Sequence, residues 1–242
     1  MTESAHNGQF EKTTNVRRGV INRLIQVVGI LLIEAAILFI SAGRVNWGMA
    51  WLYFGLYVLG TLIIALVVLP KNPELIAERG RVKENTKAWD KVLASLYSLF
   101  STLALLTVTG LDDRFNWTGD LPLWLQLAGI ALLALGFALI CWSMAANRFF
   151  SGVVRIQEDR GHQVASGGPY RLMRHPGYIG MILAACAVPL MLSALWGLVP
   201  AGIVTLVLVI RTALEDRTLQ NELEGYREYA QITRFRLIPG IW

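Results

Sequence analysis

The chain has 242 residues, of which 55% are hydrophobic and only 16% are charged. Soluble domains carry about 25% charged residues, so the composition points away from a soluble enzyme and towards a polytopic membrane protein. The net charge of +5 reads, in so apolar a chain, as cytoplasmic loops rather than a nucleic-acid surface.

Met1 to about Arg18 is polar and mixed in charge, and residues 1–20 are expected to form a flexible cytoplasmic tail. The apolar run that follows is too long for a signal-peptide core and has no convincing small-residue cleavage site. Four apolar segments come next, roughly Leu24 to Ala42, Trp51 to Leu69, Val92 to Leu111 and Leu123 to Ala146. Each has about the 20 residues needed to cross a bilayer. Both cysteines, Cys141 and Cys186, sit inside apolar runs, where small buried side chains are the expected reading. His6, His162 and His175 have no metal-ligand spacing, so no bound metal is expected.

The last apolar stretch, Ile179 to Ile210, is divided by Ser193 to Gly197 and interrupted by Pro189 and Pro200. Two pieces, each shorter than a comfortable span, fit a tight helical hairpin that is tilted or stops short of the far side. One span plus a partly buried helix is the competing count. In the tail from Arg211 to Trp242, Leu214, Leu219, Leu223 and Tyr226 suggest an amphipathic helix. The fold class is therefore all-α. The chain reads as a polytopic integral membrane protein with four full transmembrane helices, a C-terminal helical hairpin and a cytoplasmic amphipathic tail helix. Residues 21–242 make one membrane-embedded domain, with its catalytic core in 147–242.

Charge sets the expected orientation. With the amino terminus inside, the loops after segments one and three face out, and of 22 lysines and arginines they hold only Arg44 and Arg114. Both termini are then cytoplasmic. Trp47, Trp51, Trp117, Trp124 and Trp196 gather near the outer interface, with Trp89 and Trp242 near the inner one. On the cytoplasmic side, Asn72-Pro73-Glu74-Leu75 reads as a helix start within Lys71 to Lys91.

The chemistry concentrates in Gly167 to Gly180, where Arg171, Arg174 and His175 stand among Gly167, Gly168, Pro169, Pro176, Gly177 and Gly180. Single arginines at this edge would be ordinary topology signals. A basic cluster on so constrained a backbone suits close approach to a ligand. Glu215 and Asp216 follow the last apolar run, and two readings stand side by side. One pairs them with Arg211 or Arg217 on the same helix. The other turns Glu215 towards the basic motif to bind a cationic group. Tyr226, Arg227, Glu228 and Tyr229 read either as a lid or as an interfacial helix. Glu34, deep in segment one, serves helix packing or lines a substrate path. No nucleophile motif, dinucleotide fingerprint or phosphate-binding loop is present.

Gly168-Pro169-Tyr170, Arg174-His175-Pro176-Gly177-Tyr178-Ile179-Gly180, an apolar hairpin, Glu215-Asp216, Gly225-Tyr226-x-x-Tyr229 and Leu237-Ile238-Pro239 occur in that order. This series resembles the isoprenylcysteine carboxyl methyltransferase family, and phospholipid N-methyltransferases share its core pattern. The resemblance spans roughly Gln163 to Trp242. It implies an integral membrane methyltransferase that takes S-adenosylmethionine in a cytosol-facing pocket. The acceptor would be a lipophilic or small nucleophilic molecule, with the bilayer as the other partner and no nucleic acid. Carried onto matching positions, Arg174, His175, Pro176, Tyr178 and Glu215 bind the cofactor, with Gln163, Val164, Gly168 and Tyr170 lining the approach. Arg174 and Glu215 are the residues expected to carry catalysis. Two departures stand out. The family's Glu-Glu pair is Glu215-Asp216 here, and Gly177 stands where related proteins often have a larger polar residue.

Bound so, Glu215 would meet the ammonium of the cofactor and the Arg174/His175 pair its carboxylate. Tyr170 or Tyr178 could offer a ring face to the sulfonium or adenine. Two other functions fit parts of the pattern. Arg-His-Pro-x-Tyr also resembles the C-terminal part of NADPH-dependent membrane sterol reductases, although the acidic pair and Tyr-x-x-Tyr favour methyl transfer. A non-catalytic lipid-binding protein would leave the glycine-proline-basic motif without a purpose.

Overall fold

The structure is a computed structural model. It describes the backbone of residues 2–79 and 85–242, and side chains from residue 14 onward within those limits. The charged run expected after α3 falls partly on 80–84, outside the described residues. Nine α-helices and no strand occur among the described residues: α1 (Thr2–Ala42), α2 (Gly48–Val68), α3 (Pro73–Arg79), α4 (Ala88–Ser98), α5 (Leu105–Phe115), α6 (Leu123–Ala146), α7 (Pro176–Met191), α8 (Leu198–Glu222) and α9 (Tyr226–Ile232). A π-helical segment, Leu99–Ala104, joins α4 to α5 so that Ala88–Phe115 is one continuous rod.

Among the described residues, five helices are long and apolar enough to cross a membrane: Thr14–Ala42, Gly48–Val68, Ala88–Phe115, Leu123–Ala146 and Leu195–Glu222. Their outward faces carry large apolar side chains such as Leu24, Leu32, Leu66 and Trp124, each more than 60% exposed. Such surface suits lipid and not water. The inward faces bury Leu38, Leu106, Leu133, Met191, Val204 and Leu208 in one core.

The hairpin differs from expectation in its second arm. The helix does not end with the hydropathy at Ile210; it continues through Arg211 to Glu222. Arg211, Thr212 and Asp216 on that extension are buried, because each has a partner on another element or on its own preceding turn. Leu214 and Leu219 therefore belong to α8, and the chain turns only at Gly225, whose φ of 77° is left-handed backbone that glycine adopts freely. The expected amphipathic tail is the short α9, with Tyr226 and Tyr229 buried and Arg227 and Glu228 exposed.

The first arm, α7, has 16 residues, about 24 Å of helix. It is short, yet the hairpin tip meets the loop after α5. The buried Asp112 carboxylate accepts from Thr118 N at 2.8 Å, Thr118 Oγ1 at 2.7 Å and Trp196 N at 3.0 Å. Thr118 Oγ1 in turn accepts from Leu195 N at 2.9 Å. Arg44 pairs with Asp113 at the same end. The loops poor in basic residues thus gather at one end of the bundle, hairpin tip included.

Glycines set how closely the hairpin lies on α6. A Cβ on Gly129 would come within 2.5 Å of Met191 N, and one on Gly136 within 2.7 Å of Gly180 O. Backbone-to-backbone contact of this kind is how membrane helices gain packing where no hydrophobic drive exists between them. At the other end, Asn72 Oδ1 accepts from Leu75 N at 3.2 Å and caps α3, as the sequence predicts.

Candidate active site at the basic end

The chain from Asn147 to His175 winds over the basic end and is tied down by buried polar contacts. Gln157, 1% exposed, donates to Phe149 O at 2.6 Å and accepts from Arg160 Nη1 at 2.6 Å. His162 lies against the Phe149 ring, with centroids 4.7 Å apart. Burial, then the charges of Arg155 and Arg160, push its pKa down to about 4. Asp90, at the start of α4, is fully buried and clasps Arg211 of α8 through bonds of 2.6 and 3.0 Å. Asp90 Oδ2 also accepts from Val154 N at 2.7 Å, and Arg211 donates to Gly152 O at 2.8 Å. One ion pair therefore fastens two spanning rods to the loop. Desolvated charges are tolerated only with such saturation.

Gly168 begins a 3-10 turn with φ 57°, and a Cβ there would lie 3.0 Å from both Ala146 Cβ and Trp142 Nε1. That turn buries Tyr170, whose hydroxyl accepts from Asn147 Nδ2 at 3.3 Å. Burial raises the Tyr170 phenol well above its usual pKa. Arg174 and His175 then run beside the C-terminal segment after α9, with Arg174 N donating to Phe235 O and His175 N to Arg236 O, both at 2.9 Å. Pro176 opens α7, where its missing N–H costs nothing.

The two acids of α8 face different partners. Asp216, fully buried, accepts from Arg174 Nε at 2.7 Å and Nη2 at 3.0 Å, Gln220 Nε2 at 2.7 Å, Arg236 Nε at 2.9 Å and Tyr226 Oη at 3.0 Å. His175 Nε2 stands 3.4 Å from both Asp216 Oδ1 and Tyr226 Oη. Burial, then the Asp216 charge, raises the Tyr226 phenol far above its usual range and keeps it a donor. Burial likewise lifts Tyr229 to about 12; its hydroxyl donates to Tyr170 O at 2.7 Å. Glu215 is half-buried and accepts from the Tyr178 hydroxyl. It makes no ion pair among the described residues.

Neither sequence reading of the acidic pair matches this arrangement in full. The basic motif does reach α8, but its arginine goes to Asp216. The remaining donors of Arg174 go to Thr233 O and Arg234 O, both at 2.8 Å, so the guanidinium spans α8 and the tail. Arg211 pairs across to Asp90, not along its own helix. Of the other expected residues, His175, Pro176, Tyr178 and Glu215 come together at the start of α7 and the end of α8. Val164 and Tyr170 pack with Leu223, Tyr226 and Tyr229 alongside. Gln163 is exposed on the loop above. At Gly177 a Cβ would lie 2.6 Å from Phe150 Cε2. Phe150 thus fills the place that a larger residue would take.

Sequence reasoning missed Asp90 and Gln157, and it did not find the partners that Arg211 and Arg236 take. An acid opening an apolar rod and a cation closing another are the signal that could have paired Asp90 with Arg211. Glu34 is 7% exposed, near Thr102 of the π segment, with Oε2 lacking a partner. A groove of about 540 Å³ lined by Ala35, Phe39, Ile40 and Arg44 lies at the opposite end and holds none of these site groups.

Residues 124–224, from α6 through α8, match the phospholipid methyltransferase family. The probable protein-S-isoprenylcysteine O-methyltransferases of Oryza sativa subspecies indica and japonica are each 26% identical over 176 residues, 69% of this chain and 88% of theirs. Protein-S-isoprenylcysteine O-methyltransferase B of Arabidopsis thaliana is 27% identical over 111 residues, 45% of this chain and 56% of its own. No solved structure matches significantly. The matched segment contains the acids of α8 and the motif that meets them. The chain is thus similar to membrane methyltransferases of the isoprenylcysteine and phospholipid type.

Proposed function

We propose that the protein transfers a methyl group from S-adenosylmethionine to a lipophilic or small nucleophilic acceptor at the cytoplasmic face of the membrane. Glu215 carries this reading. It is a half-buried carboxylate held by the Tyr178 hydroxyl and without an ion pair among the described residues, while Asp216 beside it is saturated. An acid of that kind is matched by an ammonium brought from outside. The donor set therefore fits the amino-acid end of the cofactor at Glu215, with Tyr178, His175 and Pro176 around it and Tyr170, Gly168, Val164 and Gln163 along the approach.

S-adenosylmethionine, when bound, supplies an electrophilic methyl group for in-line displacement. The chain's own part is positional. Tyr178 orients Glu215. Arg174 holds Asp216 to the backbone at Thr233 and Arg234, which keeps the end of α8 and the tail in one rigid frame. We assign Arg174 to that positioning role, in place of direct contact with the cofactor carboxylate. Both termini are taken as cytoplasmic, because basic residues crowd the end that carries the site.

The test is binding and turnover by detergent-purified protein. S-adenosylhomocysteine should raise its thermal midpoint, and labelled methyl from S-adenosylmethionine should appear in a product from a lipid and small-molecule extract. Stabilisation by NADPH alone would overturn the proposal in favour of a reductase.

A further inference from the structure

Arg79 closes α3 at the basic end, and its Nη1 is buried with no hydrogen-bond partner. Its guanidinium stacks on Phe150 at 5.4 Å, the ring that fills the space against Gly177. Burial, then Arg23, lower its pKa to about 10, so it remains charged at neutral pH, and no carboxylate pairs with it among the described residues. Arg23 belongs to the same cluster by helical geometry. Gly19 of α1 touches Ala77 of α3, where a Cβ would meet Ala77 Cβ at 2.8 Å, and Arg23 lies one turn further along that face. Among the described residues neither Arg23 nor Arg79 makes an ion pair; Arg23 reaches only Gln26 Oε1 at 3.5 Å. Nearby Glu78 is turned away to Arg155, at 2.6 Å. Arg211, the third cation in range, is satisfied by Asp90.

A buried cationic N–H without an acceptor is costly, and two unpaired arginines repel each other. An anion between them would remove both costs. Two observations say what carries the anion. Tyr57 and Tyr97, from α2 and α4, are close enough to act on the charge of Arg79, so the cluster borders the membrane-spanning rods. Beside Arg23, Leu24 and Ile25 are 63% and 64% exposed on the lipid-facing side of α1. The groups that act most on the charge of Arg79 are the cations Arg23 and Arg211 and the phenols Tyr97 and Tyr57, and Glu215 is not among them. The carboxylate of an amino acid whose ammonium rests on Glu215 is therefore a poor match for Arg79.

We propose that Arg79, with Arg23 beside it, forms an anion subsite for the acceptor, which takes a carboxylate or phosphate borne on a lipid chain lying along α1. The assignment of that lipid as acceptor rests on the methyl-transfer reading; the subsite itself rests on the unpaired arginines.

Binding to the full-length chain in detergent tests it, with two matched pairs of probes: N-acetyl-S-farnesylcysteine against its methyl ester, and dioleoylphosphatidylglycerol against dioleoylglycerol. The wild type should bind the anionic member of at least one pair about tenfold more tightly, the strength of a charged hydrogen bond. The pair that discriminates identifies carboxylate or phosphate. Arg79→Gln should abolish the preference, and Arg79→Lys, with an unchanged thermal midpoint, should keep part of it. Affinity for S-adenosylhomocysteine should be the same in all three proteins. Absence of preference in both wild-type pairs, or full preference in Arg79→Gln, overturns the subsite. A parallel loss of S-adenosylhomocysteine binding overturns it too, by putting Arg79 on the cofactor. Anion preference that depends on Arg79 in a wild type with no affinity for S-adenosylhomocysteine would support the subsite and sink the methyl-transfer reading.

Discussion

Two neighbouring acids on α8 have opposite assignments. Asp216 is enclosed by Arg174, Arg236, Gln220 and Tyr226. Removing one member of a buried ion pair costs about 3–5 kcal/mol, because the other charge stays buried. Asp216→Ala should therefore lower the thermal midpoint sharply and loosen the tail, which limited proteolysis near Thr233 would detect. Glu215→Gln should leave the midpoint of the ligand-free protein nearly unchanged. It should instead lose the stabilisation by S-adenosylhomocysteine and methyl transfer by about a hundredfold, the scale of one or two charged contacts. If the two variants behave alike, the division of roles is wrong. His162 adds a pH dependence. Its pKa is pushed down to about 4 in the folded chain from an ordinary value near 6.5. Its contribution to stability is thus complete above about pH 6.5 and is lost as the pH falls towards 4. The fall in thermal midpoint across that window should be smaller in His162→Asn than in the wild type.

At the scale of elements, the hairpin and α6 are held by glycine contacts that leave no room for side chains. Gly136 and Gly180 each bring a would-be Cβ within 2.7 Å of the other's carbonyl oxygen. Gly136→Val should separate α6 from α7 at a cost of about 1–3 kcal/mol, the usual range for overpacking. Because α7 carries Tyr178 and begins at His175, methyl transfer should fall further than stability does. Equal activity in folded Gly136→Val protein would show that the hairpin does not position the site. These contacts were not legible in the sequence, where the same glycines look like any others in an apolar run. The apolar runs themselves were legible: Leu123 to Ala146 was read to the residue, since hydropathy and helix end together there. They part company at Ile210, because Arg211 and Asp216 are buried by partners that hydropathy does not see.

For the whole molecule, the loops poor in basic residues and the hairpin tip share one end, and the site occupies the other. Single cysteines placed at Arg44 and Trp117 in a cysteine-free variant should be labelled by an impermeant maleimide from outside. One at Arg227 should react only after the membrane is opened. The reverse pattern would invert the proposed orientation. The sequence by itself determined the helical class, the apolar runs and the basic end, because the cost of polar groups in lipid forces those patterns onto any chain that crosses it. It also carried the motif at Gly167 to Gly180 and the acids at Glu215 and Asp216, in an order that resembles a methyltransferase pattern. Only the tertiary structure decided which acid Arg174 takes, that Asp90 answers Arg211 across 121 positions, and that Arg79 Nη1 is buried without a partner among the described residues. Such pairings depend on where helices distant in sequence meet, and neither spacing nor composition fixes that.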